Sequence, residues 1–178
     1  MDNDEFVISM LVNNEAGVLT RVSGLFARRG FNIDSLSVGV TEQAGLSRIT
    51  ITAHGDDYIK DQIIKQLAKL QDVKVVKLMP FNNSVMRELL LIKVQADRDT
   101  RSSLLEAASV FRAKIVDLKS DSVTLEITGE RSKCEAFVEY LRPYGIVELC
   151  RTGLTAISRG LKPLKDSKSY EEENSVKE

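Results

Sequence analysis

Phe6-Val7-Ile8-Ser9-Met10-Leu11-Val12, then Asn13-Asn14-Glu15-Ala16-Gly17, then Val18-Leu19 is the stretch from which the fold can be read. A short, almost continuous apolar run closed by a polar cluster predicts a buried strand feeding a turn. Beyond the turn the period changes. Val18, Leu19, Val22, Leu25 and Phe26 recur at helical spacing, while Arg21, Arg28 and Arg29 fall off that stripe. Gly30 stands where a left-handed cap belongs, so a helix is expected over about residues 18–29.

The pattern extends outward from there. Leu36, Val38 and Val40 alternate with polar residues, as do Ile49, Ile51 and Ala53, with Gln43-Ala44-Gly45 between them as a hairpin turn. Asp56-Asp57 offers an N-cap for a helix bearing Ile59, Ile63, Leu67 and Leu70, and Val73–Leu78 reads as a strand. After a loop-like break at Pro80–Ser84 the order starts again. A strand at Leu89–Val94 precedes a helix with Leu104, Leu105, Ala108 and Phe111. Strands near Lys114–Leu118 and Val123–Thr128 flank the turn Ser120-Asp121, and a helix with Cys134, Phe137, Val138 and Leu141 leads to a last strand from Ile146.

The expected fold class is therefore α+β: two ferredoxin-like βαββαβ domains, each an antiparallel sheet with its helices on one face. We place them at residues 1–80 and 84–160, with a charged, mobile tail at 161–178. Helices on one face leave the other face and an edge strand in need of cover, and pairing between chains is the natural cover.

Composition narrows the function. With 43% hydrophobic and 29% charged residues and a net charge of −1, the chain has no field to attract nucleic acid or an anionic membrane. No apolar run approaches the roughly 18 residues of a span, and Met1–Glu5 lacks the regions of a signal peptide, so a cytoplasmic location is expected. Cys134 and Cys150 read as two reduced core thiols. His54 is the only histidine, and no partner for a Ser-His-Asp or Cys-His arrangement suggests itself. There is no phosphate-cradling loop and no zinc-ligand spacing, so no cofactor or metal is assigned to this chain.

The loop Asn14–Leu19 is the informative element. Free backbone amides and partial positive charge at a helix start suit a carboxylate, and Gly17 lets a ligand approach the main chain closely. The side-chain amide of Asn14 can accept from an ammonium group or donate to a carboxylate, and Asn32, after the first helix, adds a second two-way amide. Together they could grip an α-amino acid by both ends. The same Asn-x-x-Gly pattern also serves as a plain capped turn, and the loop by itself leaves both readings open.

Asn14–Leu19, Arg21-Val22-Ser23-Gly24-Leu25-Phe26 and Arg29-Gly30-Phe31-Asn32-Ile33-Asp34-Ser35-Leu36 together closely resemble the N-terminal ACT domain of acetolactate synthase (acetohydroxyacid synthase) small subunits. Leu46–Ile51 extends the likeness. Arg87-Glu88-Leu89, Phe111–Asp117 and Arg151-Thr152-Gly153 resemble the family's second domain, so about residues 5–160 are covered.

The resemblance implies a non-catalytic regulatory subunit in valine, leucine and isoleucine biosynthesis. It would activate a large catalytic subunit, which holds thiamine diphosphate, magnesium and FAD, and confer feedback inhibition by valine. It further implies a homodimer whose ACT domains pair side by side, with the effector at the interface. By that correspondence the carboxylate meets amides around Gly17, Val18 and Leu19, within the loop that also holds Glu15 and Ala16. The ammonium meets Asn14 and Asn32, and Ile33 touches the branched side chain. The alternative is a stand-alone amino-acid-sensing ACT protein that regulates another enzyme; it would share the loop but need not carry the matching second domain. A small enzyme on the same fold would need clustered titratable residues that the sequence does not offer.

Overall fold

The structure, a computed structural model, describes residues 5–166. Its described chain divides into two compact units: residues up to Val85 together with Leu154 onward, and Met86–Gly153.

In the first unit β1 (Glu5–Asn13), α1 (Val18–Arg29), β2 (Ser35–Val40), β3 (Leu46–His54), α2 (Asp57–Ala68) and β4 (Val73–Leu78) follow the expected order. The strands form an antiparallel sheet in the order β2-β3-β1-β4, with Ile8 opposite Ile51 and Leu78. One face is the core. Phe6, Ile8, Met10 and Val12 of β1 and Ile49, Ile51 and Ala53 of β3 pack with Val22, Leu25 and Phe26 of α1 and Ile63, Ile64 and Leu67 of α2. Asp56 caps α2 by accepting from the Ile59 amide at 2.8 Å, and Gly30 ends α1 in the left-handed region at φ 69°.

The other face of β1 is buried too: Val7, Ser9 and Leu11 are closed off, as are Thr50 and Thr52 on β3. Cover from within the same chain was not expected. Residues 154–166 return to this unit, Ser37 Oγ donating to the Leu154 carbonyl at 2.9 Å and Arg48 Nη1 to that of Ala156 at 3.0 Å. The 3-10 turn Leu164–Asp166 lies against β1 and β4, with Leu164 buried. A strand, β9 (Thr155–Ser158), falls in this segment. Packing thus groups residues 154–160 with the first unit, whereas the repeat pattern groups them with the second. Of the tail placed at 161–178, residues 167–178 lie outside the described residues.

The second unit repeats the arrangement with β5 (Ser84–Gln95), α3 (Arg101–Phe111), β6 (Lys114–Leu118), β7 (Ser122–Gly129), α4 (Arg131–Leu141) and β8 (Ile146–Arg151). Its strand order is β6-β7-β5-β8, and its core joins Leu90, Ile92 and Val94 to Leu104, Leu125, Phe137 and Leu141. Phe111 packs on Phe137 with ring centroids 5.0 Å apart. Leu105, expected in that core, is 41% exposed; Ala107 takes the inward position beside Leu104 and Ala108.

Candidate functional site

β1 ends against two neighbours. The Asn13 amide donates to the Asp72 carbonyl at 2.9 Å and the Asn14 amide to the Gly45 carbonyl at 2.8 Å, which fixes where the chain leaves the sheet. The loop then turns through Gly17, at φ 84° in the left-handed region, directly into α1. No side chain caps that helix start. The Val18 amide has only a long 3.4 Å contact to the Glu15 carbonyl, so the first turn of α1 presents amide donors and the positive end of its dipole. Asn14, Glu15, Ala16, Gly17 and Leu19 are exposed, whereas the Val18 side chain is buried in the core and anchors the turn.

The second unit builds the same junction: the Gln95 amide donates to the Gly145 carbonyl at 3.0 Å and the Ala96 amide to that of Asp121 at 2.9 Å. There the seat is filled from within. Asp97 Oδ1 accepts from the amides of Asp99 (3.0 Å) and Thr100 (2.8 Å) and from the Thr100 hydroxyl (2.7 Å). The hydrogen bonds from Thr100 hold the Asp97 carboxyl below its ordinary value. A cleft of about 790 Å³ at this end is lined by polar and apolar residues alike, among them Lys93, Asp97, Thr100, Tyr144 and Val147. Neither helix start has a side-chain cap, but the second unit ties up amides of the turn before α3 with its own carboxylate, and the turn before α1 has no such carboxylate.

Asn32 and Ile33 follow α1. Asn32 is exposed and its Nδ2 donates to Asp34 Oδ1 at 2.8 Å, while Asp34 Oδ2 lies 2.7 Å from His54 Nδ1. Asp34 thus engages the amide nitrogen of Asn32, whose oxygen is chemically an acceptor. Ile33 is half-buried against the first core, which limits the surface it can offer. The 12 residues of α1 separate the two groups by about 18 Å, at 1.5 Å per residue. A single chain does not bring Asn32 to the loop Asn14–Leu19.

Two features escaped the sequence reading. The Asn32–Asp34–His54 chain joins the loop before β2 to the end of β3, and only the i,i+2 spacing of Asn32 and Asp34 hinted at it. Arg21 Nε donates to Asp72 Oδ2 at 2.5 Å, and its Nη1 lies 3.1 Å from where a Cβ on Gly17 would stand. The spacing Gly17 to Arg21, one helical turn, was the available signal.

The chemistry elsewhere is structural. Burial, with Glu88 adding, pushes the Cys134 thiol up to about 11, far from a nucleophilic thiolate. Among the described residues no group of three or more His, Cys, Asp or Glu could hold a metal ion, and no helix is long and apolar enough to cross a membrane. The segments Arg87-Glu88-Leu89 and Arg151-Thr152-Gly153 meet in space. The Leu89 amide donates to Thr152 Oγ1 at 3.0 Å, and the Thr152 amide donates back to the Leu89 carbonyl at 3.1 Å.

Comparison with known proteins agrees with this geometry. The AHAS small subunit-like ACT domain matches residues 8–75, and the family described as small subunit of acetolactate synthase matches residues 87–160. The chain is 47% identical to a probable acetolactate synthase small subunit of Methanothermobacter thermautotrophicus, over 92% of this chain and 98% of the relative. It is 51% identical to the corresponding probable subunit of Archaeoglobus fulgidus, over 87% and 97%. The crystal structure of the acetolactate synthase small subunit from Thermotoga maritima superposes with a TM-score of 0.82 at 44% identity, covering 89% of this chain and 99% of that one. An ACT-type first unit, a second unit of matching family and full-length likeness at such identity place this chain in the acetolactate synthase small-subunit family.

Proposed function

We propose that this chain is the regulatory partner of a catalytic acetolactate synthase subunit and reports the level of branched-chain amino acids to it through valine bound at its first unit. The chemistry, with thiamine diphosphate, magnesium and FAD, resides in the catalytic partner. The observation that carries the reading is the contrast between the two repeats: the turn at Gly17 leads into α1 with no carboxylate on its amides, while in the matching turn before α3 Asp97 takes the amides of Asp99 and Thr100. An effector carboxylate would take in the first unit the place that Asp97 takes in the second.

The 18 Å between Asn32 and the loop gives the reason for an interface site. Two copies paired through β2, an edge strand with Val38 and Val40 exposed, would set the loop of one against the Asn32 end of the other. Asn14 and Asn32 would take the ammonium, amides around Gly17–Leu19 the carboxylate, and Ile33 part of the side chain. Effector binding would then favour one arrangement of the pair, which is the differential affinity that regulation needs.

Isothermal titration of the full chain with L-valine tests this. Saturable binding is expected, lost in Gly17→Asp, which plants a carboxylate in the seat, and weakened in Asn32→Ala. If both variants bind as the wild type does, the site assignment fails. Sedimentation of Val38→Lys/Val40→Lys tests the pairing: the doubly charged edge should run as a monomer, and an unchanged dimer would place the interface elsewhere. Inhibition by valine of acetolactate formation in the reconstituted enzyme, absent in Gly17→Asp, tests the regulatory link.

A further inference from the structure

Arg21 occupies a position that its ion pair alone does not account for. It lies in the first turn of α1, where the helix dipole disfavours a cation. Its side chain nevertheless leans back over that turn, with Nη1 against Gly17, where a Cβ would stand only 3.1 Å away. Asp72, at the start of β4, holds it there through Nε at 2.5 Å, and the side chain remains 49% exposed. Hydrogen-bonding through Nε leaves the Nη edge of the planar fork directed at the loop. Open amides and a guanidinium edge flank the left-handed Gly17, and both favour negative charge.

We infer that Arg21 is a binding residue of the effector site: its guanidinium pairs with the effector's α-carboxylate, and Asp72 acts as a positioning residue that holds the fork over Gly17. This rests on the effector reading above. It gives the site a means of rejecting ligands whose carboxylate is neutralised, because an amide in that place would leave the cation and the helix start unanswered. It also assigns a second purpose to Gly17: a side chain there would displace the fork as well as crowd the ligand.

The test is a comparison of L-valine with L-valinamide, which keeps the ammonium and the side chain but replaces the carboxylate with a neutral amide. Both are titrated into the full-length chain, wild type and Arg21→Met, Arg21→Lys and Asp72→Asn. The wild type is expected to prefer valine. In Arg21→Met valine binding should fall by about 10- to 100-fold, the loss of one charge-assisted hydrogen-bonded pair, with valinamide binding unchanged. Arg21→Lys should retain part of the preference, and Asp72→Asn should reduce it without removing it. A purely structural Arg21–Asp72 pair would weaken both ligands alike or neither. If the wild type binds valine and Arg21→Met keeps the full preference over valinamide, the role of Arg21 is overturned and the effector site stands. If the wild type binds no valine, alone or with the catalytic subunit, both fall together.

Discussion

Arg151 and Glu88 meet at the end of the β5–β8 pairing, Nη1 of Arg151 lying 3.4 Å from Oε1 of a glutamate that is only 4% exposed. Arg151 reaches on to Glu135 Oε1 of α4 at 2.7 Å, so one guanidinium ties a strand end to a helix. Arg151→Met would leave Glu88 buried without its cation, at a cost of about 3 kcal/mol. Urea unfolding should show that loss in the second unit. Glu88→Gln should cost less, because Arg151 keeps Glu135.

The same contact sets an acid response. The hydrogen bond from Arg151 holds Glu135 below the ordinary glutamate value of 4.5, with burial opposing it. A carboxyl whose value is lowered on folding adds stability that is complete above its unfolded value and fades as pH falls through the folded one. Wild-type stability should therefore decline below about pH 4.5, and Arg151→Met should decline less steeply there. Between pH 6 and 8 the two should run parallel in chemical-denaturation series.

The two thiols should separate cleanly. Cys134 is buried with its thiol pushed up to about 11, so at pH 8 its thiolate fraction is on the order of one in a thousand. Cys150, expected in the core, is instead exposed on β8, whose residues Val147–Cys150 all face solvent. Titration of the folded chain with a disulfide reagent should count one rapid thiol, and a second only in denaturant. Replacement of Cys150 by Ser should abolish the rapid phase.

Two glycines of α1 should respond in opposite directions. Gly24 has ordinary helical backbone and nothing within 4 Å of a would-be Cβ, so Gly24→Ala should stabilise by about 0.5–1 kcal/mol. Gly30 also has open space but sits at φ 69°, where a side chain costs about 1 kcal/mol or more, so Gly30→Ala should destabilise. Thermal melts of the two variants would displace in opposite senses.

What the sequence made legible was local. The stripe from Val18 to Phe26 and the cap at Gly30 located α1 at the residues observed, because periodicity and capping are decided within one or two turns. The open turn at Gly17 was readable for the same reason. Its electrostatics were not: Arg21 meets Asp72 across 51 residues, and Asp34 meets His54 across 20, pairings that only the sheet brings together. Leu105 was placed inside by hydrophobicity, where the small Ala107, two residues on, fits the packing better. The unbroken run Phe6–Val12 did show that both faces of β1 are buried, but nothing in it named the segment that does the covering. The pair of copies and the effector itself rest on family likeness joined to the open helix start.

The return of residues 154–166 to the first unit has a consequence for how the molecule comes into being. The N-terminal unit is begun first on the ribosome, yet Leu154, Ala156 and Leu164, which lie buried in it, are made after the whole of the second unit. Val7, Ser9 and Leu11 therefore wait, with one side of their strand unsealed, until residues 154–166 have been made. The first unit is thus begun before the second but gains its last packing segment after it, so a chain cut before residue 154 lacks part of the first unit's packing.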